Sequence, residues 1–390
     1  VDFSLNDDQV MIRDAAETFL ADVSDSAAVR KAMASTLGYD ESVWQRIATE
    51  LGWCGIAVPE SHGGLGLGAV ELVLIQEQIG RRLLCAPFFS TVCLAANVLQ
   101  EVGSAAAKTR YLSSIAENAL RVTLPLPSDS AGWSAAASTV RATRESHHWR
   151  LQGVAERVPD AADADLLLIF AQTAEGLGLF SVPADANGFQ VQTTEAWDAT
   201  RRFSRVLLDV MLPADARVDE VAHNTGYARS LALARLYIAA EQLGAAQQCL
   251  DLTVAYTATR KQFGRVVASF QAVKHRCAEM MVKIEALRSA VYGAAAQAAG
   301  DAPLDLLASE CSMARALAAD TLFFCAAEAI QLHGGVGFTW EYDPQLYFKR
   351  AQASSHWLGD SDALRESIAI SLLDVTSPSA GAGPALTHCA

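Results

Sequence analysis

Apolar residues that return every three or four positions, turn after turn, constrain this chain more tightly than any other feature it has. Leu236, Ala240, Leu243, Gln247, Leu250 and Val254 step by 4, 3, 4, 3 and 4. Phe270, Val273, Cys277, Met280, Ile284, Leu287 and Val291 repeat the pattern. A strand turns its side chains over at every residue, so only a helix keeps these positions on one face. Gly300-Asp301-Ala302-Pro303 interrupts the stripe, and a third long helix is predicted over about 304–332. Long stripes joined by short connections pack antiparallel, which predicts a four-helix bundle over residues 225–375.

The texture upstream differs. Residues 1–120 read as a helical domain, with Ser4 as a cap ahead of Asp7-Asp8 and with Trp44, Ile47 and Leu51 on one helix stopped by Gly52. A glycine-rich loop, Val58–Gly68, feeds a further helix from Ala69 to Gly80. Over residues 121–224, short apolar runs at 166–170, 177–182, 189–191 and 206–210 alternate with Gly, Pro, Asp and Asn, which predicts a small β-barrel-like domain. The fold class is therefore mainly α with a β middle domain. A tail at 376–390, carrying Pro378, Gly381, Gly383 and Pro384, is predicted to be disordered.

Composition narrows the function classes. Of 390 residues, 51% are hydrophobic and 19% charged, which excludes a mainly disordered chain. The net charge of −14 disfavours nucleic acid and anionic membranes as partners. The uncharged run from Leu83 to Gln100 contains Pro87, Ser90, Thr91 and Asn97, so it reads as a buried turn and helix rather than a membrane span. No opening segment combines a basic start, an apolar stretch and a small-residue cleavage site, and the eight cysteines form no C-x-x-C pair. Free thiols in a reducing cytoplasm are expected. The eight histidines show no metal-ligand spacing, and His147-His148 reads as a surface pair.

Two clusters carry chemistry. Arg260-Lys261-Gln262-Phe263-Gly264 closes the first long helix, and Phe270-Gln271 opens the next. Gln331-Leu332-His333-Gly334-Gly335 closes the third. Singly, the first is a basic helix end complementing the dipole and the second a glycine cap. Together they offer a guanidinium fork for phosphate oxygens, an aromatic ring for a flat heterocycle and glutamine amides. Glycines that admit close backbone approach complete the set. It suits the adenylate and pyrophosphate part of a dinucleotide.

The opening helix FSLNDDQVMIRDAAETFL, the segment ELGWCGIAVPESHGGLGLGAVEL, the stretch LGAAQQCLDLTVAYTATRKQFGRVVASFQAVKHRCAEM and the loop QLHGGVGFTWEYDPQLYFKRA follow one another in a specific order. In this the chain resembles the acyl-CoA dehydrogenase family over nearly its whole length. The resemblance implies FAD-dependent α,β-dehydrogenation of an acyl-CoA thioester, with an electron-transfer flavoprotein as acceptor. In that reaction a carboxylate takes the α proton, the β hydrogen leaves as hydride to the flavin, and hydrogen bonds stabilise the enolate. Residue by residue, it assigns Arg260, Gln262, Phe263, Gln271, Gln331, Gly334 and Gly335 to the adenylate end of FAD.

The same resemblance marks departures. Where the family holds the flavin ring with a Thr-Glu-Pro-x-x-Gly-Ser-Asp stretch, this chain has TLPLPSDSAG at Thr123–Gly132. Where the family has Trp-Ile-Thr, it has Arg157-Val158-Pro159. Counting from Arg350, the usual position of the base holds Gly359, and the minority position holds Ala234. Asp360, one residue out of register, is the candidate displaced base, and Glu241 a second carboxylate worth locating. In the family FAD lies across a subunit boundary, so the expectation is the less catalytic, β-type member of an α2β2 heterotetramer with a related dehydrogenase subunit. The alternatives are a self-sufficient homotetramer using Asp360, a related flavin monooxygenase and a non-catalytic homologue.

Overall fold

The computed structural model describes residues 4–117, 120–127, 132–220, 224–300 and 302–373. The N-terminal helices are α1 (Asp7–Val23), α2 (Ser26–Ala34), α3 (Glu41–Gln45), α4 (Ala69–Arg82), α5 (Asn97–Val102) and α6 (Ala105–Ala116). The cap of α1 is Asn6 rather than Ser4. Asn6 Oδ1 accepts from the Gln9 amide at 2.8 Å while Gln9 Oε1 accepts from the Asn6 amide at 3.1 Å, so the pair satisfies two otherwise idle donors. The uncharged run after Arg82 turns at Leu83 and continues as a wide π-helical segment over Phe89–Ala96 into α5, with residues 89–99 all buried. Among the described residues no helix is long and apolar enough to cross a membrane.

The middle of the chain is a curled, half-barrel sheet. Its strands are β1 (Val122–Thr123), β2 (Val140–Glu145), β3 (His148–Pro159), β4 (Leu166–Thr173), β5 (Gly176–Pro183), β6 (Phe189–Thr194) and β7 (Phe203–Pro213). The pairing order is β1-β4-β2-β3-β7-β6, with β5 on the free side of β4. Along β7 every second residue is buried, the signature of a sheet with one wet face. Leu151, Ile169, Phe180, Val182, Val206 and Val210 fill the inner face.

The C-terminal part is α7 (Asn224–Thr259), a hairpin of β8 (Lys261–Gln262) and β9 (Arg265–Val266), α8 (Gln271–Ala299), α9 (Leu304–His333), α10 (Pro344–Ser354) and α11 (Ser361–Leu373). The chain reverses direction between α7, α8 and α9. The end of α7, the start of α8 and the end of α9 therefore gather at one end of the bundle. Leu236, Ile238, Leu243, Leu287 and Leu322 are fully buried, each stabilising the fold by roughly 1.5–3 kcal/mol. Helix α4 meets α7 backbone against backbone: a Cβ on Gly80 would stand 1.9 Å from the Glu241 carbonyl oxygen, and one on Gly244 1.7 Å from that of Glu77. The expected tail at 376–390 lies outside the described residues.

A buried polar cluster ties these parts together. Glu241 of α7 accepts from Gln76 Nε2 of α4 at 2.8 Å, from Arg350 Nη1 of α10 at 2.5 Å and from Arg201. Arg350 also donates from Nε to Asp198 at 2.8 Å and from Nη2 to the Thr200 hydroxyl at 2.5 Å. Asp198, Thr200 and Arg201 belong to the link between β6 and β7, so one cluster joins the helical domain, the sheet and the bundle. Buried charges survive only when paired and hydrogen-bonded in this way.

Candidate functional site

At the shared end of the bundle, β8 and β9 form a two-residue hairpin, with Lys261 opposite Val266 and Gln262 opposite Arg265. Its turn residues are Phe263 (φ 51°) and Gly264 (φ 78°), the mirror-image geometry that matches strand twist and normally selects Asn-Gly. A phenylalanine held there costs about 1 kcal/mol or more, and its ring is 89% exposed. Phe270 receives that ring edge-on at 6.2 Å, and the Arg265 guanidinium lies 4.0 Å over the Phe270 ring. Arg260 and Gln262 are exposed beside it. Gln271 opens α8 and meets His275 at 3.0 Å, and no side chain caps this helix, so its positive end stays available to an anion.

The end of α9 is locked onto the end of α7 by stacked rings. His333 lies on Tyr256 at 4.4 Å and 17°, and Tyr342 meets both edge-on at 6.2 and 5.9 Å. Burial lowers the His333 pKa, which keeps the ring neutral at pH 7. Arg260 follows Tyr256 by one helical turn, and Gly334 follows His333 directly. A Cβ on Gly334 or Gly335 would meet nothing within 4 Å, whereas one on Gly337 would strike the Ile330 carbonyl at 2.7 Å. Gly337 is a packing glycine. Gly334 and Gly335 instead line an open approach, with Gln331 exposed beside them.

The other half of the expected site looks different. Around Ala155/Val158 the register of β3 on β7 shifts, and Arg157 adopts φ 52°. Its guanidinium donates to the Pro127 carbonyl, its own carbonyl accepts from Leu126 at 3.2 Å, and Thr123 Oγ1 donates to the Pro159 carbonyl at 2.5 Å. Residues 128–131 of the TLPLPSDSAG stretch lie outside the described residues.

The segment at the usual base position is sealed. Leu358 adopts φ 59° with its side chain 1% exposed. Arg235 Nε donates to its carbonyl at 2.8 Å, and Arg315 donates to the carbonyls of Trp357, Ser354 and Ser355 at 2.9, 2.7 and 2.8 Å. Burial draws both guanidinium pKa values down, yet arginine stays charged at neutral pH. Gly359 sits at φ 130°, and a Cβ there would stand 2.9 Å from the Leu364 side chain. Ala234 is fully buried. Phe89 and Trp357 close over the Arg201 guanidinium at 5.2 and 5.9 Å.

Asp360 points elsewhere. It accepts from the amides of Asp362 and Ala363 at 3.0 and 3.4 Å and from His356 at 3.1 Å, at the start of α11. The Asp362 amide above all holds its carboxyl below the usual range, which makes it a helix cap and a poor proton acceptor. Glu241 is spent on the buried cluster. Sequence reasoning missed Arg265, Tyr256 and Tyr342, for which the aromatic spacing around each helix end was the available signal. Asp198 and Arg201 gave none, because their partners lie far away in sequence. Among the described residues no group of acidic, histidine and cysteine side chains could hold a metal ion.

Comparison with known proteins decides the family. Residues 6–119 match the N-terminal domain of acyl-CoA dehydrogenases and residues 227–373 the C-terminal domain. The chain belongs to the acyl-CoA dehydrogenase family. It is 30% identical to the acyl-CoA dehydrogenase IpdE2 of Mycolicibacterium smegmatis, over 91% of this chain and 96% of that one. Identity to the IpdE2 of Mycobacterium tuberculosis is 32%, over 90% and 93%. Among solved structures, this acyl-CoA dehydrogenase superposes on a variant of the Tcur3481-Tcur3483 steroid ACAD with a TM-score of 0.85 and 29% identity, covering 95% of this chain and 99% of that one. The ChsE4-ChsE5 complex of M. tuberculosis superposes with a TM-score of 0.87 and 26% identity, covering 97% and 100%. The chain is therefore an oxidoreductase of the acyl-CoA dehydrogenase type.

Proposed function

We propose that this chain is one subunit of a hetero-oligomeric, FAD-dependent acyl-CoA dehydrogenase, gripping the adenylate half of a cofactor whose reactive ring sits in a related, non-identical subunit. One asymmetry supports this reading. The residues assigned to the adenylate end converge on an open face, whereas the segment that carries the base in this family is closed by the chain's own side chains. Two likenesses point the same way: the ChsE4-ChsE5 structure is a complex of two differently named chains, and the steroid ACAD carries a paired name. The steroid name also makes a ring-bearing acyl-CoA the substrate class to try first. An electron-transfer flavoprotein is the acceptor this reading requires.

The open face fits the nucleotide end of FAD. Gly334 and Gly335 leave space for backbone approach, Arg260 offers a fork to the pyrophosphate, and the start of α8 adds a positive helix end. Phe263, held away from its own fold, supplies a flat apolar wall. Gln262, Gln271 and Gln331 offer amide donors and acceptors. When bound, FAD would accept hydride from the acyl group. This chain's residues orient and hold, and the proton acceptor is expected on the other subunit.

Co-expression with the acyl-CoA dehydrogenase-like protein encoded nearest to it tests this. The expected result is a yellow complex with one FAD per pair of unlike chains, colourless chain alone, and acyl-CoA oxidation only by the complex. Arg260→Ala is expected to weaken FAD binding about ten- to a hundredfold, the scale of a lost charge-assisted phosphate contact. A yellow homo-oligomer that oxidises acyl-CoA unaided would falsify the reading.

A further inference from the structure

We infer that Arg30, in the N-terminal helical domain, is a positioning residue for the nucleotide face that the bundle presents; the inference rests on the subunit reading above. Arg30 stands on α2, far in sequence from every residue assigned to that face. Its guanidinium nevertheless spends its donors on the turn that continues from Gly334-Gly335 into α10. Nε and Nη2 both donate to the Trp340 carbonyl, at 3.1 and 2.8 Å. Nη2 donates again to the Tyr342 carbonyl at 3.1 Å, and Nη1 to Asp343 Oδ1 at 2.5 Å. Ser26 completes the clamp: its hydroxyl donates to Asp343 Oδ1 at 2.7 Å and accepts from Arg30 Nη1 at 2.5 Å.

The clamp does more than fasten two domains. Tyr342, whose carbonyl it holds, supplies the third ring of the Tyr256–His333 stack that fixes the position of Gly334. Trp340, whose carbonyl it holds twice, keeps its ring 64% exposed with the Lys349 ammonium 4.1 Å above it. The backbone from 334 to 343 is thus pinned at both ends, by His333 and by Arg30, while its outer surface stays free. A planar fork is the group that can reach two carbonyls and a carboxylate at once. A lysine gathers its three donors at one point and does not match the spread of that fork. Preorganising a loop lowers the ordering cost of binding.

The test uses the co-expressed complex with Arg30→Lys and Arg30→Met, beside the wild type. Hydrogen exchange of the amides at 334–343 is expected to quicken in both variants. FAD binding is expected to weaken in parallel by about tenfold, the scale of a lost charged hydrogen bond. The melting temperature of the FAD-free chain should move little, since the side chains of the pair stay 27% and 24% exposed, and turnover at saturating FAD should recover. Faster exchange with FAD affinity within about twofold of wild type would make Arg30 a domain fastener only. Unchanged exchange would overturn the clamp itself. A wild-type complex that holds no FAD sinks the subunit reading first. A wild-type complex that holds it, with Arg30→Met holding it equally well, counts against this inference alone.

Discussion

Phe263 and Leu358 share a backbone conformation that side chains dislike, and they do opposite things with it. Phe263, at φ 51°, stands on a hairpin tip with its ring 89% exposed. Leu358, at φ 59°, is 1% exposed and roofed by two arginines that occupy the surrounding carbonyls. Strain of this kind persists only when the surroundings over-determine it. Around Leu358 the surroundings are core, so the strain serves closure. Around Phe263 they are two strand residues and Phe270, so the strain displays a ring that the monomer itself does not bury. One fold thus holds a sealed place and an offered place.

The contrast can be broken at the sealed side first. Arg350→Met should leave Asp198 buried without its cation and Glu241 with Arg201 alone, a loss of about 3–5 kcal/mol. Thermal unfolding would register it as a melting temperature lower by roughly 5 °C, or as insoluble protein. A drop of only a degree or two would mean that the buried cluster does not hold the three parts together. Next in size is Gly359→Glu, which restores the family's carboxylate. Its Cβ meets Leu364 and its φ is unsuited to any side chain, so a loss of about 2–3 kcal/mol is expected with no gain in acyl-CoA oxidation. Dye-reduction activity in the purified variant would refute the sealing.

Smaller effects sharpen the comparison. Asp360→Ala should cost about 1 kcal/mol through loss of the α11 cap, with turnover of the complex unchanged. The carboxyl pKa is depressed in the folded chain, so its stabilisation is present above the unfolded value near 3.8 and fades as pH falls through the folded one. Melting curves of wild type and variant should therefore converge in acid. Turnover lost in step with protonation of Asp360 would reinstate it as the base. The smallest change in stability is expected from Phe263→Gly, neutral or stabilising by up to about 1 kcal/mol because the turn is relaxed. FAD retention by the complex should nonetheless fall. If stability drops instead, the ring is packing rather than display.

Much of the fold was legible because periodicity is local. The stripes on α7, α8 and α9 follow from apolar spacing, and the runs at 166–170, 177–182, 189–191 and 206–210 all fall within strands. Strands β2 and β3 were not singled out, because their wet faces carry Arg141, Thr143, Gln152 and Glu156 and dilute the apolar signal. The adenylate-end residues were legible as a set because two short motifs carry them. Other features are long-range in sequence and leave no local trace. Glu241 stood out as an isolated carboxylate, yet its partners come from the β6–β7 link and α10. Arg30 could not be connected to Trp340 before the chain was folded.

The crossing of α4 over α7 has a consequence for how such a protein can change over time. Where Gly80 and Gly244 bring main chain onto main chain, no methyl group fits, so the two helices cannot be re-spaced by exchanging one side chain for a larger or smaller one. Relatives built on this crossing inherit a fixed axle. Novelty in substrate or companion has to be written on the rims that turn around it.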